Sequence, residues 1–231
     1  MKPLTGSMNR EFIFNTSSNL VRHLLLSKFF LILYHQFAFS YDFIAWLVSL
    51  GLWKRWVLSV QEFLRGPKIL EIGHGPGHLY LSARKMGLQI YGLEESWSML
   101  RLAKNNLGLA GRELKSTRGY AQSLPYQSNL FNQVVSTFPS NYIVDPMTLS
   151  EIHRVLAPGG LFIILPVAWI TGKQWFHRLA SWLFRITGQT PENNSFFEEK
   201  WIKVFTDAGF QARYEYMDLG TSMTFIVIAA K

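Results

Sequence analysis

The sequence predicts an α/β fold built on a mostly parallel sheet, with an all-helical cap before it and an antiparallel hairpin at its end. Three observations carry this reading. From residue 66 onward, short apolar runs alternate with helical stretches of about 10–12 residues, the pattern of parallel strands joined by right-handed crossovers. Before residue 66 only helical texture is present. After Gly209, two strand-like runs are split by Asp218-Leu219-Gly220-Thr221, which reads as a hairpin.

Taken in order, residues 1–18 are polar, and Ser18 or Asn19 can cap a helix that runs to about Phe39. A second helical stretch follows Tyr41-Asp42, and a third runs from about Trp53 to Leu64, ended by Gly66-Pro67. Lys68–Ile72 is a short apolar strand running into glycines, and a helix is expected from Gly77 to Met86. Leu88–Leu93 reads as a strand, Ser96–Leu107 as a helix, Leu114–Arg118 as a weaker strand and Asn132–Thr137 as a strand. Pro146–Leu156 is a helix, Pro158-Gly159-Gly160 a turn and Leu161–Leu165 a fully buried strand. Ser195–Ala208 is a helix closed by Gly209, and Phe210–Met217 and Ser222–Ala230 are the hairpin strands. The expected organisation is a cap over residues 1–65 and one domain over 66–231, with a helical insertion at about 170–190.

Composition narrows the function. With 48% hydrophobic and 16% charged residues the chain is globular rather than disordered. The net charge of +8 is spread along the sequence, and no three basic residues are consecutive. A phosphate-tracking surface usually shows as a stripe, so no nucleic-acid partner is expected, whereas a diffuse basic, aromatic-rich chain suits contact with an anionic membrane. The absence of cysteine removes disulfides, thiolate metal sites and a Cys nucleophile, and is compatible with a cytoplasmic setting. The six His show no metal-ligand spacing, so no metal is expected. Leu24–Trp53 is very apolar, but Lys28, His35 and Asp42 interrupt it. It falls short of the ~18–20 uncharged residues a spanning helix needs and reads as buried or interfacial helices.

The chemistry concentrates in Glu71-Ile72-Gly73-His74-Gly75-Pro76-Gly77, where three alternate glycines lie between a strand and a helix. Glycine there permits positive φ and close approach of backbone to a ligand. A dinucleotide fingerprint would place its third glycine at position 78, which is His78. Glu71, inside the strand, would repel a pyrophosphate and welcome an ammonium group. The pattern therefore favours S-adenosylmethionine (SAM) over NAD, with a nicotinamide-dependent oxidoreductase as the competing reading. Glu94 ends the second strand, where a carboxylate can accept both ribose hydroxyls. His74 and His78 flank the loop; a His base is conceivable near neutral pH, and the ordinary expectation is a side chain pointing outward.

Four segments together carry a family resemblance: Glu71–Gly77, Tyr91–Leu100 (YGLEESWSML), Gly119–Tyr126 (GYAQSLPY) and Glu151–Gly160 (EIHRVLAPGG). With them the chain resembles the small-molecule, type 11 branch of the class I SAM-dependent methyltransferases, and within it the ubiquinone/menaquinone-biosynthesis group, over about Tyr34 to Ala230. The resemblance implies a Rossmann-like sheet of seven strands with the last antiparallel, and SAM as cofactor. It implies that the Gly73, Gly75 and Gly77 loop holds the methionine part and Glu94 the ribose, with the Ala121 backbone and the Gln122 side chain near the adenine. Glu71 and Glu95 complete the expected cofactor set. Tyr120 stands where the family usually has Asp, and it is the one feature favouring a non-catalytic relative.

Methyl transfer from a sulfonium is an in-line displacement in which positioning can supply ~7–11 kcal/mol, so no dedicated base is required and none is identified. The segment after the fourth strand, Ser136–Tyr142, lies at the carboxyl end of the sheet, where ligands bind in open α/β folds. Phe138, Asn141 and Tyr142 are the expected substrate-side residues, a plain loop being the alternative. This segment lacks the Asn/Asp-Pro-Pro-aromatic pattern of base and amide methylation, which leaves a small, hydrophobic acceptor as the expected substrate. Lys173–Thr187 pairs a face of Gln174, His177, Arg178, Ser181 and Arg185 with Trp175, Phe176, Trp182 and aliphatic residues. That composition fits either a lid over the substrate cavity or an interfacial helix.

Overall fold

The computed structural model of the protein describes residues 51–172 and 194–231. The described elements are α1 (Trp53–Ser59) with a 3-10 turn Val60–Phe63, β1 (Ile69–Ile72), α2 (His78–Lys85), β2 (Ile90–Glu94) and α3 (Trp97–Leu109). They continue with β3 (Ser116–Arg118), β4 (Phe131–Thr137), a 3-10 turn Asn141–Val144, α4 (Pro146–Val155), β5 (Leu156–Ile170), α5 (Asn194–Asp207), β6 (Gln211–Asp218) and β7 (Ser222–Ala230). The expected helices before residue 51 and the insertion from Lys173 lie outside the described residues.

One seven-stranded sheet has the order β3-β2-β1-β4-β5-β7-β6. Strands β1 to β5 pair in parallel, and β7 runs antiparallel between β5 and β6. The fold class expected from the sequence is therefore present, including its antiparallel end.

The strands form where they do because apolar residues fill both faces. Along β5, Phe162 and Ile164 belong to one core and Ile163 and Leu165 to the other; Phe225 and Val227 alternate with Ile226 and Ile228 along β7 in the same way. The first core packs Leu149, Ile152 and Val155 of α4 and Phe205 of α5 against the sheet. The second packs Val57 of α1, Leu79 and Ala83 of α2 and Leu107 of α3 on the opposite face. The sheet's edges are β3, only three residues long, and β6, whose Arg213, Glu215 and Asp218 make a poor template for further strands.

The largest difference from the sequence reading is in β5, which continues to Ile170 rather than ending at Leu165. It also begins at Leu156 and runs through Pro158-Gly159-Gly160 rather than starting after them. Phe131 pairs with Leu156 and Gln133 with Leu161, so Ala157–Gly160 bulge out of a ladder that otherwise continues. Gly159 takes φ 71°, and a Cβ at Gly160 would stand 2.8 Å from the Ala157 carbonyl. The glycines are turn-like locally, but the neighbouring strand absorbs the turn.

Helix starts follow side-chain chemistry. The Ser96 hydroxyl accepts from Met99 N–H at α3, and Asp145 accepts from Met147 N–H at α4, where Pro146 fills the first position. Strand order reverses between β1 and β4, and this switch point brings the loop after β1 against the loop after β4.

Candidate functional site

At the carboxyl end of β1 the chain turns through Gly73 (φ 68°), Gly75 (φ 52°) and Gly77 (φ 82°), all in the left-handed region. These glycines do different work. A Cβ at Gly77 would meet Leu107 and Ala103 of α3 at 3.2 and 3.3 Å, and one at Gly73 would stand 2.6 Å from the Tyr142 hydroxyl. A Cβ at Gly75 would meet nothing within 4 Å. The two outer glycines let protein pack against protein, while the middle one faces open space.

Glu71 is the one charged residue in the wholly buried β1, pairing in register with Gly92 of β2 and Val135 of β4. It is 1% exposed, and its Oε2 has no hydrogen-bond partner. Burial first, and the Glu94 carboxylate second, push its carboxyl well above the ordinary carboxylate range. A buried carboxyl with an idle oxygen and an acidic neighbour is a site for a cation or a proton.

Glu94 closes the loop from β2. Its Oε2 accepts from Gly75 N–H (3.0 Å) and its Oε1 from Ser96 N–H (2.9 Å), so one carboxylate ties the glycine loop to the start of α3. Burial raises its pKa and these two backbone bonds lower it. Each oxygen keeps a second lone pair for a hydroxyl. Glu95 is exposed, and its carbonyl accepts from Arg118 Nε (2.9 Å).

His74 does not point outward. It is 4% exposed, with Nδ1 donating to the Gly75 carbonyl (2.9 Å) and Nε2 accepting from Ser116 Oγ (2.7 Å). Its ring fills the space beside Gly92, where a Cβ would approach within 2.6 Å. Burial lowers its pKa to about 4, so it is neutral at physiological pH, and both nitrogens are engaged in bracing the loop against β3.

On the facing side, Phe138 has φ 48°, a left-handed conformation costing a bulky residue roughly 1–3 kcal/mol. The turn directs its ring onto Trp53 of α1, stacked at 4.3 Å, with Trp56 at 6.3 Å. Asn141 is exposed at the start of its 3-10 turn. Tyr142 reaches back to the glycine loop, its hydroxyl 3.3 Å from Ser136 Oγ, which donates to the Ile72 carbonyl (2.9 Å). Burial raises the Tyr142 phenol, so it stays protonated. Ala121 is buried in the loop after β3, and Gln122 Nε2 donates to Asp145 Oδ2 (3.3 Å); Tyr120 is exposed.

The structure thus brings Glu71, Gly73, Gly75, Gly77, Glu94 and Tyr142 into one cluster, whereas Phe138 packs against Trp53 and Trp56 of α1. Neither Ser116 nor Trp53 is among the site residues expected from the sequence, and Ser136 is there only as the start of the Ser136–Tyr142 segment. Ser116 and Trp53 join the site only through strand order and helix packing, which leave no local spacing to detect. Among the described residues no group of His, Asp and Glu could hold a metal ion, and no helix is long and apolar enough to cross a membrane.

The chain is similar to known methyltransferases in sequence and in fold. The family model described as a methyltransferase domain matches residues 70–164, from β1 through most of β5. The ubiquinone/menaquinone biosynthesis C-methyltransferase UbiE of Blochmanniella floridana is 31% identical over 174 residues, covering 71% of this chain. The chain spans 66% of that relative's own length. A demethylmenaquinone methyltransferase of Chlorobaculum tepidum is 26% identical over 222 residues, covering 85% of this chain and 90% of the relative. Among solved structures, a SAM-dependent methyltransferase from Methanosarcina mazei superposes with a TM-score of 0.53 at 21% identity, over 75% of this chain and 96% of its own.

Proposed function

Because the chain belongs to the class I SAM-dependent methyltransferases, we propose that it transfers the methyl group of SAM to a small, hydrophobic, quinone-like acceptor. Its cofactor is SAM, and the oxidoreductase and non-catalytic readings are not favoured. The observation that carries the proposal is the pairing of Glu71, a buried carboxyl with an unpartnered Oε2, with Gly75, whose missing side chain leaves open space. SAM presents an ammonium and no phosphate, which fits this pair.

When bound, the cofactor supplies an electrophilic methyl on a good leaving group, so the protein's task is placement. Glu71 would receive the ammonium, and Gly73, Gly75 and Gly77 would let backbone lie against the methionine part. Glu94 would accept from the ribose hydroxyls while keeping its two backbone bonds. Ala121 and Gln122 would flank the adenine, with Glu95 at the rim. Phe138, Asn141 and Tyr142 would face the acceptor, Phe138 held by its stack on Trp53.

The division into a cap over 1–65 and a domain over 66–231 belongs to the same proposal. So does a cytoplasmic setting with peripheral contact to an anionic membrane, which rests on the +8 charge, the lack of cysteine and the basic, aromatic composition of Lys173–Thr187. Flotation with anionic liposomes at low salt, and partial release at high salt, tests the contact. Protein left in the soluble fraction at every salt concentration argues against it. The transfer itself is tested by incubating the protein with methyl-labelled SAM and demethylated quinone precursors. Label appearing in the acceptor supports the assignment; SAM that binds without turnover on any quinone, while other small acceptors are labelled, removes the quinone class.

A further inference from the structure

The segment Glu151–Gly160 enters the resemblance as a motif, yet nothing in the proposed transfer uses it. Its two charged members point across the fold, into the loop between β3 and β4. Glu151 Oε2 accepts from Leu124 N–H at 2.7 Å. Arg154 donates from Nη2 to the Leu124 carbonyl (3.0 Å) and from Nη1 to the Tyr126 carbonyl (2.7 Å), so its fork grips the backbone on both sides of Pro125. The two side chains lock each other in a bidentate pair, Nε to Oε1 at 2.7 Å and Nη2 to Oε2 at 2.8 Å. The opposite end of α4 holds the same loop, where Asp145 accepts from Gln122. One helix therefore fixes the loop at Gln122 and again at Leu124–Tyr126.

We propose that Glu151 and Arg154 are positioning residues for the adenosine end of the cofactor. They hold the Ala121–Gln122 turn in place by clamping the chain two to four residues beyond it. The proposal rests on the assignment of Ala121 and Gln122 to the adenine side. The pair's own attraction is not the point, since the Arg154 side chain is 35% exposed and the Glu151 side chain 22%, where solvent screens a salt bridge. The clamp matters because a planar fork meets two carbonyls at fixed positions. A lysine has one ammonium on a flexible stem and cannot hold both carbonyls in that geometry.

The test uses the full-length protein, with calorimetric titration of S-adenosylhomocysteine and, separately, of 5′-methylthioadenosine, which lacks the amino-acid end. Arg154→Ala and Glu151→Ala are expected to weaken both ligands about 10-fold, the scale of one lost hydrogen bond to a charged group. Arg154→Lys is expected to recover only part of this loss. Thermal melting and circular dichroism confirm that each variant is folded; if Arg154→Ala fails to fold, Arg154→Lys and Glu151→Gln carry the test. Equal weakening of the two ligands supports the clamp. Variants that melt lower but bind both ligands as the unsubstituted protein does make the pair merely structural and overturn the proposal. So does weakening confined to S-adenosylhomocysteine, which would place the effect at the amino-acid end. Failure of the unsubstituted protein to bind either ligand would instead overturn the cofactor assignment itself.

Discussion

The two loops that meet at the switch point are built on different principles. The loop after β1 is made of backbone and carboxylates: three glycines in the left-handed region, an idle oxygen on Glu71, and Glu94 tying Gly75 to Ser96. The loop after β4 is made of aromatic rings: Phe138 turned through a positive φ onto Trp53, and Tyr142 reaching under Gly73. Backbone and charge suit a ligand of fixed polar shape, because hydrogen-bond geometry admits little variation. Rings suit an apolar ligand, because burial is nearly non-directional. On the proposed assignment, the difference teaches that the half holding the cofactor would specify one molecule closely while the half facing the acceptor would specify a class. Substitutions should therefore separate the two halves.

The largest separation is expected at the glycines. Gly75→Val puts methyl groups where the protein has nothing within 4 Å, so SAM affinity should fall more than about 100-fold while the fold is kept, apart from the ~1–2 kcal/mol strain of a left-handed residue. Gly77→Val instead drives into Leu107 and Ala103 and should lower the melting temperature first. Comparing melting curves with calorimetric affinities for the pair reads the contrast directly. Two variants that lose stability equally and retain SAM binding would show that the middle glycine does not face the cofactor.

Next in size is Glu94→Ala. It removes the acceptor proposed for the ribose and also frees the N–H groups of Gly75 and Ser96, so SAM affinity should drop roughly 10- to 150-fold. Binding at the level of the unsubstituted protein would remove Glu94 from the cofactor set.

Glu71 gives the pH dependence. Burial, then Glu94, raise its carboxyl in the cofactor-free fold against a lowering backbone hydrogen bond from Tyr80, and it interacts electrostatically with the phenols of Tyr80 and Tyr142. A raised folded pKa means the fold holds a proton that the unfolded chain releases. This group's contribution to stability is present below the unfolded carboxylate pKa and is lost as pH rises through the folded value. An incoming ammonium reverses the preference, so SAM affinity should increase with pH through the raised range, by up to about 10-fold per unit. It should stop increasing near pH ~7.7–8, where an α-amino group loses its charge. Glu71→Gln should flatten the profile, and a profile equally steep in that variant would place the proton elsewhere.

The smallest effect on the cofactor is expected in the acceptor half. Phe138→Ala removes the ring stacked on Trp53 and should destabilise the fold by about 1–3 kcal/mol, less than the ~3–5 kcal/mol of a fully buried Phe because Phe138 is only part-buried. SAM affinity should stay within about 2-fold. A large loss of SAM binding would mean that the two halves are coupled.

The same division explains how much was legible in the sequence. Gly73, Gly75, Gly77 and Glu94 announce themselves through local spacing, because a strand, a turn and a helix N-terminus are consecutive in the chain. The strand–helix alternation was readable for the same reason, and six of the seven strands lie within a few residues of where periodicity puts them, β5 being three times as long as expected. Long-range contacts were not readable. The orientation of His74 depends on Ser116 of β3, and the run of β5 through Pro158-Gly159-Gly160 depends on the β4 ladder. Tyr142 reads locally as a substrate-side or plain loop residue, and its place under Gly73 comes from the β1–β4 adjacency. Glu151 and Arg154 are legible only as part of a motif, because their partners lie 27 to 30 residues back along the chain.

The most direct test of the cofactor assignment is calorimetric titration of the full-length protein with SAM and, in parallel, with NAD. The predicted result is one SAM bound per chain, lost in Gly75→Val, and no heat of binding for NAD. Binding of NAD, or SAM binding that survives unchanged in Gly75→Val, would contradict it.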